Sequence, residues 1–175
     1  MLSEKLTKAL NEQVNWELYS SYLYVSMSAY AESNGLKGAA SWLFVQAKEE
    51  LAHATHMYQQ ILERGAVPQL DAIAAPDLTY SSLKDVFEKI YAHEQKVSKR
   101  INDIATLAME ENDHALYQFI MWYVNEQVEE ESNDTEILAK LDFIGDDKGL
   151  LISLDNELAA RVYVNPFPTD AKNIG

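Results

Sequence analysis

Acidic and ligand-type residues recur in this chain at a fixed offset. Glu17 and Glu94, Glu49 and Glu126, Glu50 and Gln127, and His53 and Glu130 are each separated by 77 positions. Each half carries a lone glutamate on one segment and, on the next, a pair spaced three apart: Glu50 with His53, or Gln127 with Glu130. Residues three or four apart on an α-helix share a face, so both members of each pair aim at the same space. Carboxylates gathered in a protein interior lose their hydration and repel one another, a penalty of several kcal/mol per ion. A bound cation removes both difficulties.

Oxygen-rich ligands with one imidazole suit iron or manganese. A glutamate from each of two helices, with Glu-x-x-His from the others, is the di-metal carboxylate arrangement found inside helix bundles. The second half departs from that pattern, because Gln127-Val128-Glu129-Glu130 supplies Gln and Glu where a symmetrical site has Glu and His. His53 is then the sole nitrogen ligand and serves one metal position, the other being all oxygen, with Glu50 as the natural bridge. Unequal affinities follow, and a site through which iron passes. Glu49, Glu126 and Glu129 form a further acidic cluster beside Glu130, with room for a third ion. Tyr24 lies two turns from Glu17 on the same face, placed to hydrogen-bond a ligand or donate an electron. His56, His93 and His114 are expected at the surface, and Trp122 and Tyr123 in the core.

Four long helices must position these groups. The first is predicted over 3–34, from a Ser3 N-cap to Asn34-Gly35, with an inward stripe of Leu6, Leu10, Val14, Glu17, Ser21, Tyr24, Ser28 and Ala31. A second stripe on it, Trp16, Tyr19, Leu23, Met27 and Tyr30, is apolar enough to imply a subunit interface. Helix two is predicted over 37–64, ending at Gly65, with Leu43, Ala47, Glu50, Ala54, Met57 and Ile61 inward. Residues 65–81 read as a connection long enough to cross the bundle, so that helices two and three run parallel. Ser82 and Asp85 resemble a capping box opening helix three, 82–112, whose stripe of Leu83, Phe87, Ile90, Val97, Ile101, Ile104 and Ala108 is broken only by Glu94. Helix four, 114–144, carries Leu116, Ile120, Tyr123, Gln127, Glu130, Asp134, Ile137, Leu141 and Ile144. A short fifth helix is predicted over 149–163, with Leu150, Leu151, Leu154 and Leu158 on one face and Asn165-Pro166 and Pro168 ending it before a polar tail. Helices of this length run about 40 to 47 Å, so the polar interruptions fall near mid-bundle.

Composition narrows the remaining classes. The 175 residues are 47% hydrophobic, enough for one domain with a substantial core. There is no cysteine, which removes disulfides, thiolate zinc sites and thiol nucleophiles. The start lacks a signal-peptide pattern and no apolar run is long enough to span a bilayer, so the expected location is the cytoplasm, without a membrane partner. A net charge of −14 disfavours nucleic acid, whose phosphates need clustered Lys and Arg, and favours cations.

At these residues the chain resembles the non-haem bacterial ferritins over essentially its whole length. The resemblance implies an all-α ferritin-like four-helix bundle with one long crossover and a short fifth helix, a single ferritin-like domain over 1–175. It implies a ferroxidase centre in which Glu17, Glu50 and His53 hold one iron and Glu50, Glu94 and Glu130 the second. Glu49, Glu126, Glu129 and Glu130 match the third iron site, Gln127 a polar position beside the ligands, and Tyr24 the tyrosine next to the centre. It further implies oxidation of Fe(II) by O2 or H2O2 and storage of ferric mineral in a 24-subunit shell. Haem is not expected: bacterioferritins carry a haem-ligating Met where this chain has Leu51, and a second His where it has Glu130. Two other readings account for part of the pattern. A rubrerythrin-like di-iron enzyme shares the bundle, although those with a rubredoxin module need cysteine; a metal-free helical scaffold explains the stripes but not four interior carboxylates.

Overall fold

The computed structural model describes residues 1–76 and 79–167, and among these the regular structure is five α-helices with no strand. They are α1 Glu4–Ser33, α2 Lys37–Glu63, α3 Leu83–Glu110, α4 His114–Ile144 and α5 Lys148–Leu158. Each start is set by a polar group that satisfies an otherwise orphaned backbone N–H. The Ser3 hydroxyl accepts from Leu6 N, that of Ser82 from Asp85 N, and the Asp113 carboxylate from Leu116 N. Asp85 reaches back to accept from Ser81 N, which holds its carboxyl below the usual range. The ends use left-handed residues: Gly35 after α1, Gly65 after α2 and Asn112 after α3 lie at φ 78°, 76° and 58°. There, Leu36 N, Ala66 N and Asp113 N return to the carbonyls of Ala31, Ile61 and Ala108.

α1 and α2 form one antiparallel hairpin and α3 and α4 another. Where α1 meets α3, partners fall from Arg100 to Glu94 as α1 rises from Gln13 to Tyr24, so these helices are also antiparallel. Both α2 and α3 oppose α1 and therefore run parallel. The crossover achieves this, except that its residues 77–78 lie outside the described residues, as does the polar tail from Pro168.

The inward stripes bury as their periodicity requires, and they do so as two separate apolar clusters. One, toward the α1 C-terminus, gathers Leu23, Met27, Leu43, Phe87, Ile90 and Leu141; the other gathers Leu6, Leu10, Met57, Ile61, Ile101 and Ile120. Each such side chain removed from water contributes about 1.5–3 kcal/mol. Between the clusters lies the polar layer of Glu17, Glu50, His53, Glu94, Gln127 and Glu130, all buried.

Two expectations change. The fifth helix stops at Leu158 instead of 163, because the chain turns at Ala159 and Ala160. Leu154 and Leu158 are buried from it, while Leu150 is exposed. The second stripe of α1 is not left open for a neighbour: Leu23 and Met27 are buried, Tyr19 and Tyr30 pack on the first cluster and Trp16 on the second. Tyr22 and Val25 instead carry exposed apolar surface on that helix.

α5 docks across the start of α2. Leu36 offers that helix no side-chain cap, and Asp155 of α5 supplies one by accepting from Ala39 N at 2.8 Å. The crossing is so close that a Cβ on Gly38 would fall 1.6 Å from the Asp155 carbonyl oxygen. Gly38→Ala should therefore lower stability by about 1–3 kcal/mol through overpacking, and Asp155→Ala by about 1 kcal/mol through loss of a cap. Chemical denaturation measures both, and hydrogen exchange should place the Asp155→Ala loss in the first turn of α2.

Candidate metal centre

Glu17 of α1 and Glu50 and His53 of α2 converge so that one ligand atom from each lies within 4.8 Å of the others, all three residues being buried. The antiparallel α1–α2 hairpin brings the level of Glu17 opposite that of Glu50, and the i, i+3 spacing turns His53 toward the same point. Glu17 Oε2 and His53 Nε2 are buried without a hydrogen bond, and the other imidazole nitrogen, His53 Nδ1, lies 3.7 Å from Glu50 Oε2. A buried imidazole among buried carboxylates that keep unpartnered polar atoms is a donor set for a cation.

The other glutamates complete the layer from α3 and α4, each steered by a neutral group. Tyr24 donates to Glu94 Oε1 at 2.7 Å and Gln127 donates to Glu94 Oε2 at 3.0 Å. Gln46 donates to Glu130 Oε2 at 2.9 Å. Gln13 donates to Glu17 Oε1 at 2.7 Å, and its own carbonyl accepts from Arg100 Nε at 2.9 Å, which fixes the direction of the amide. These amides and the phenol orient Glu17, Glu94 and Glu130 without neutralising them.

The electrostatics follow from burial. Desolvation first, then the charge of Glu50, holds the Glu17 carboxyl well above its ordinary value, and desolvation and then Glu94 do the same to Glu50. Desolvation lifts Glu94 to about 7 against the Gln127 and Tyr24 hydrogen bonds, and desolvation with the Glu94 charge lifts Glu130 to about 8. Burial and the Glu94 charge keep the Tyr24 phenol protonated. Without a cation, the layer answers its own repulsion by binding protons.

The acidic cluster expected beside Glu130 is graded in depth. Glu130 is buried, Glu49 and Glu126 are half-buried, and Glu129 is exposed. Burial raises Glu49 and Glu126, and the neighbouring Glu129 charge adds to the rise of both. Leu51, 48% exposed, points to solvent.

The histidines are not all at the surface. His93 is buried: it shares a 2.7 Å hydrogen bond with Ser20 and stacks on Trp16, and burial lowers it to about 4. His56 is half-buried against Tyr123 and Phe167, and burial lowers it to about 4 as well. Tyr123 is buried as expected, and Trp122 is partly buried at 5.6 Å from His53.

Sequence reasoning passed over Gln13, Gln46, Asp134 and Arg161. Gln13 and Gln46 each stand four residues before a candidate ligand, on the same face, which is a usable signal. Asp134 lay on the α4 stripe; it is fully buried with both carboxylate oxygens unpartnered, and burial raises it to about 8. Arg161 gave no signal, because the sequence places it in the predicted fifth helix, which in the structure ends at Leu158 and leaves it on the segment beyond.

Residues 7–144 match a family model described as the ferritin-like domain of ferritin. The chain belongs to the ferritin family. It is 42% identical to a probable bacterial non-heme ferritin-like protein of Haemophilus influenzae, over 90% of this chain and 96% of that one. To a bacterial non-heme ferritin of Escherichia coli it is 38% identical, over 91% and 96% of the two chains. Among solved structures, an open-pore ferritin from the archaeon Archaeoglobus fulgidus superposes with a TM-score of 0.91 at 47% identity, over 92% of this chain and 98% of that one. A humanized archaeal ferritin gives 0.93 at 47% identity, over 94% and 99%.

The raised carboxyls make a pH prediction for the metal-stripped ferritin. Groups whose folded values exceed the ordinary 4.5 of Glu and 3.8 of Asp contribute stability that is complete below those values. That stability is lost as pH rises through about 7 for Glu94 and about 8 for Glu130 and Asp134. Thermal melting of the metal-free protein should therefore fall from about pH 5 to about pH 8 and level off above it, each group removing up to about 1.4 kcal/mol per pH unit between its ordinary value and its folded one. A divalent cation should flatten the slope, because it favours the ionised carboxylates. A metal-free melting temperature that stays level or climbs across this range would contradict the account.

Proposed function

We propose that this chain is a cytoplasmic iron-storage ferritin of the bacterial non-haem type that oxidises Fe(II) within each subunit. The observation that carries the reading is the buried convergence of Glu17, Glu50 and His53, with Glu17 Oε2 and His53 Nε2 unpartnered. Glu17, Glu50 and His53 take one Fe(II) ion, and Glu50, Glu94 and Glu130 take the second, Glu50 serving both. Two-metal sites hold their ions about 3.5–4 Å apart, close enough for both to react with one oxidant. Each Fe(II) then gives one electron; O2 accepts the two electrons with two protons and leaves as H2O2, and H2O2 can itself serve as oxidant by accepting two more of each to give water. Ferric product moves on to a mineral store, so the ions are substrate as well as occupants.

The chain's own groups divide the work. Gln13, Gln46, Gln127 and Tyr24 hold the carboxylates in position, as their hydrogen bonds indicate. Tyr24, whose hydroxyl donates to Glu94, is also placed to supply an electron. Carboxyls kept protonated by burial release those protons as ions bind. Glu49, Glu126, Glu129 and Glu130 form the third site, open on the Glu129 side. Haem has no place in this reading, since Leu51 and Glu130 replace the residues that bacterioferritins use.

Assembly into a 24-subunit shell is part of the proposal. Exposed apolar side chains support it, among them Tyr22 and Val25 on α1 and Val67, Leu70 and Ile73 on the crossover. Size-exclusion mass checks it, and a monomeric or dimeric species would remove the shell.

Aerobic addition of Fe(II), followed by ferric absorbance, tests the chemistry. Glu50→Ala and His53→Ala should each slow the rapid phase by at least about a hundredfold, as expected when a ligand to the reacting metal is lost, while assembly persists. Glu129→Gln should leave the first two ions' oxidation fast and change the iron oxidised per oxygen consumed; an unchanged ratio would remove the third-site role. Rapid oxidation that survives in both ligand variants would place the chemistry elsewhere.

A further inference from the structure

After α5 the chain turns back and runs along α2. Arg161 lies with its guanidinium carbon 4.5 Å from the Trp42 ring centre, Lys48 reaches over the Tyr163 ring at 5.9 Å, and Phe167 stacks on His56 at 3.7 Å. Contact positions on α2 thus rise with position in the segment, from Trp42 through Lys48 to His56. The Phe167 ring also lies 4.5 Å from Trp122 and 6.0 Å from His53. Residues 159–167 are fastened at both ends, and between those ends they cover the flank of the candidate centre that carries Glu49.

Arg161 is what makes this strap chemical as well as steric. Its Nη2 donates to Glu49 Oε2, and its side chain is only 22% exposed. Its Nη1 is buried with no acceptor. Burial raises the carboxyls of Glu49, Glu126, Glu130 and Asp134, and the guanidinium charge opposes that rise at all four while its direct ion pair is with Glu49. The α-helical stripes hold no cation at this level, and Arg161 supplies one from outside them.

We propose that Arg161 is a tethered internal cation that competes with metal for the third site, so that an ion binds there only when the guanidinium leaves Glu49. The inference rests on reading Glu49, Glu126, Glu129 and Glu130 as that site. A divalent ion and the guanidinium both require the Glu49 carboxylate, and two adjacent positive charges repel. Trp42 keeps the displaced Arg161 nearby, ready to return when the ion departs. Third-site affinity is thereby held below that of the two-ion centre, which favours release of iron from it. The Phe167 anchor couples this exchange to the ring packing beside His53.

The test is an anaerobic Co(II) titration of the metal-stripped, assembled full-length protein by calorimetry, with crystals of the Co(II) complex assigning the sites. Arg161→Gln should tighten the third site by about tenfold or more, the scale of a hydrogen bond to a charged group, while the first two sites move less than twofold. Arg161→Lys, which keeps charge without the fork, should fall between, and Phe167→Ala should tighten the third site more modestly. Glu49→Gln added to Arg161→Gln should cancel the gain. Lys140→Gln removes a cation paired with Glu136 and Glu157 instead, and should leave the third site unchanged. A third binding step indifferent to Arg161→Gln and Arg161→Lys would overturn the proposal, as would equal tightening by Lys140→Gln. Failure of Co(II) to bind at Glu17, Glu50 and His53 in the native chain would defeat the functional reading instead.

Discussion

Negative charge is carried into the middle of a helix bundle where water does not follow. Glu17, Glu50, Glu94 and Glu130 are buried at one level, and their mutual repulsion is left to protons when no cation is present. The remainder of the architecture can be understood as what makes that placement tolerable. Two apolar clusters, one on each side of the layer, provide burial free energy that a continuous core would have spread along the whole bundle. Neutral donors orient the layer: Gln13 and Gln46 each hold one oxygen of Glu17 and Glu130, and Tyr24 and Gln127 hold the two oxygens of Glu94.

The choice of neutral donors has a consequence for function. Lysines or arginines on the inward faces would have stabilised the empty layer by ion pairing, and they would also have competed with every incoming ion. Glutamine and tyrosine orient without neutralising, so the layer stays short of positive charge and receptive to it. Arg100 respects the same logic by acting at one remove, through the Gln13 amide. The one guanidinium that approaches the acids directly, Arg161, comes from a segment attached by an aromatic stack and a cation–π contact, and not from a helix of the bundle.

Much of the fold was legible because helical periodicity is a local property. The stripes of α2 and α3, such as Leu43, Ala47, Glu50 and Ala54, or Phe87, Ile90, Glu94 and Val97, bury as their spacing requires. The 77-residue offset was informative because two similar hairpins in one bundle place equivalent positions at equivalent heights. What misled was the use of residue type alone. His93 reads as a polar surface residue, yet it is buried against Trp16 and Ser20 because α1 and α3 meet there. The second stripe of α1 reads as an interface, yet the chain covers most of it with its own side chains.

The sequence by itself determined the helices, their inward faces and which carboxylates share a level, since caps, glycine stops and 3.6-residue periodicity act over a few residues. Only the tertiary structure decided that Glu17, Glu50 and His53 meet within reach of one ion, that Asp155 caps α2, and that residues 159–167 fold back to bring Arg161 against Glu49. Those contacts join residues up to 116 positions apart. No local pattern encodes them, because they arise from the packing of faces that the chain's own connections bring together.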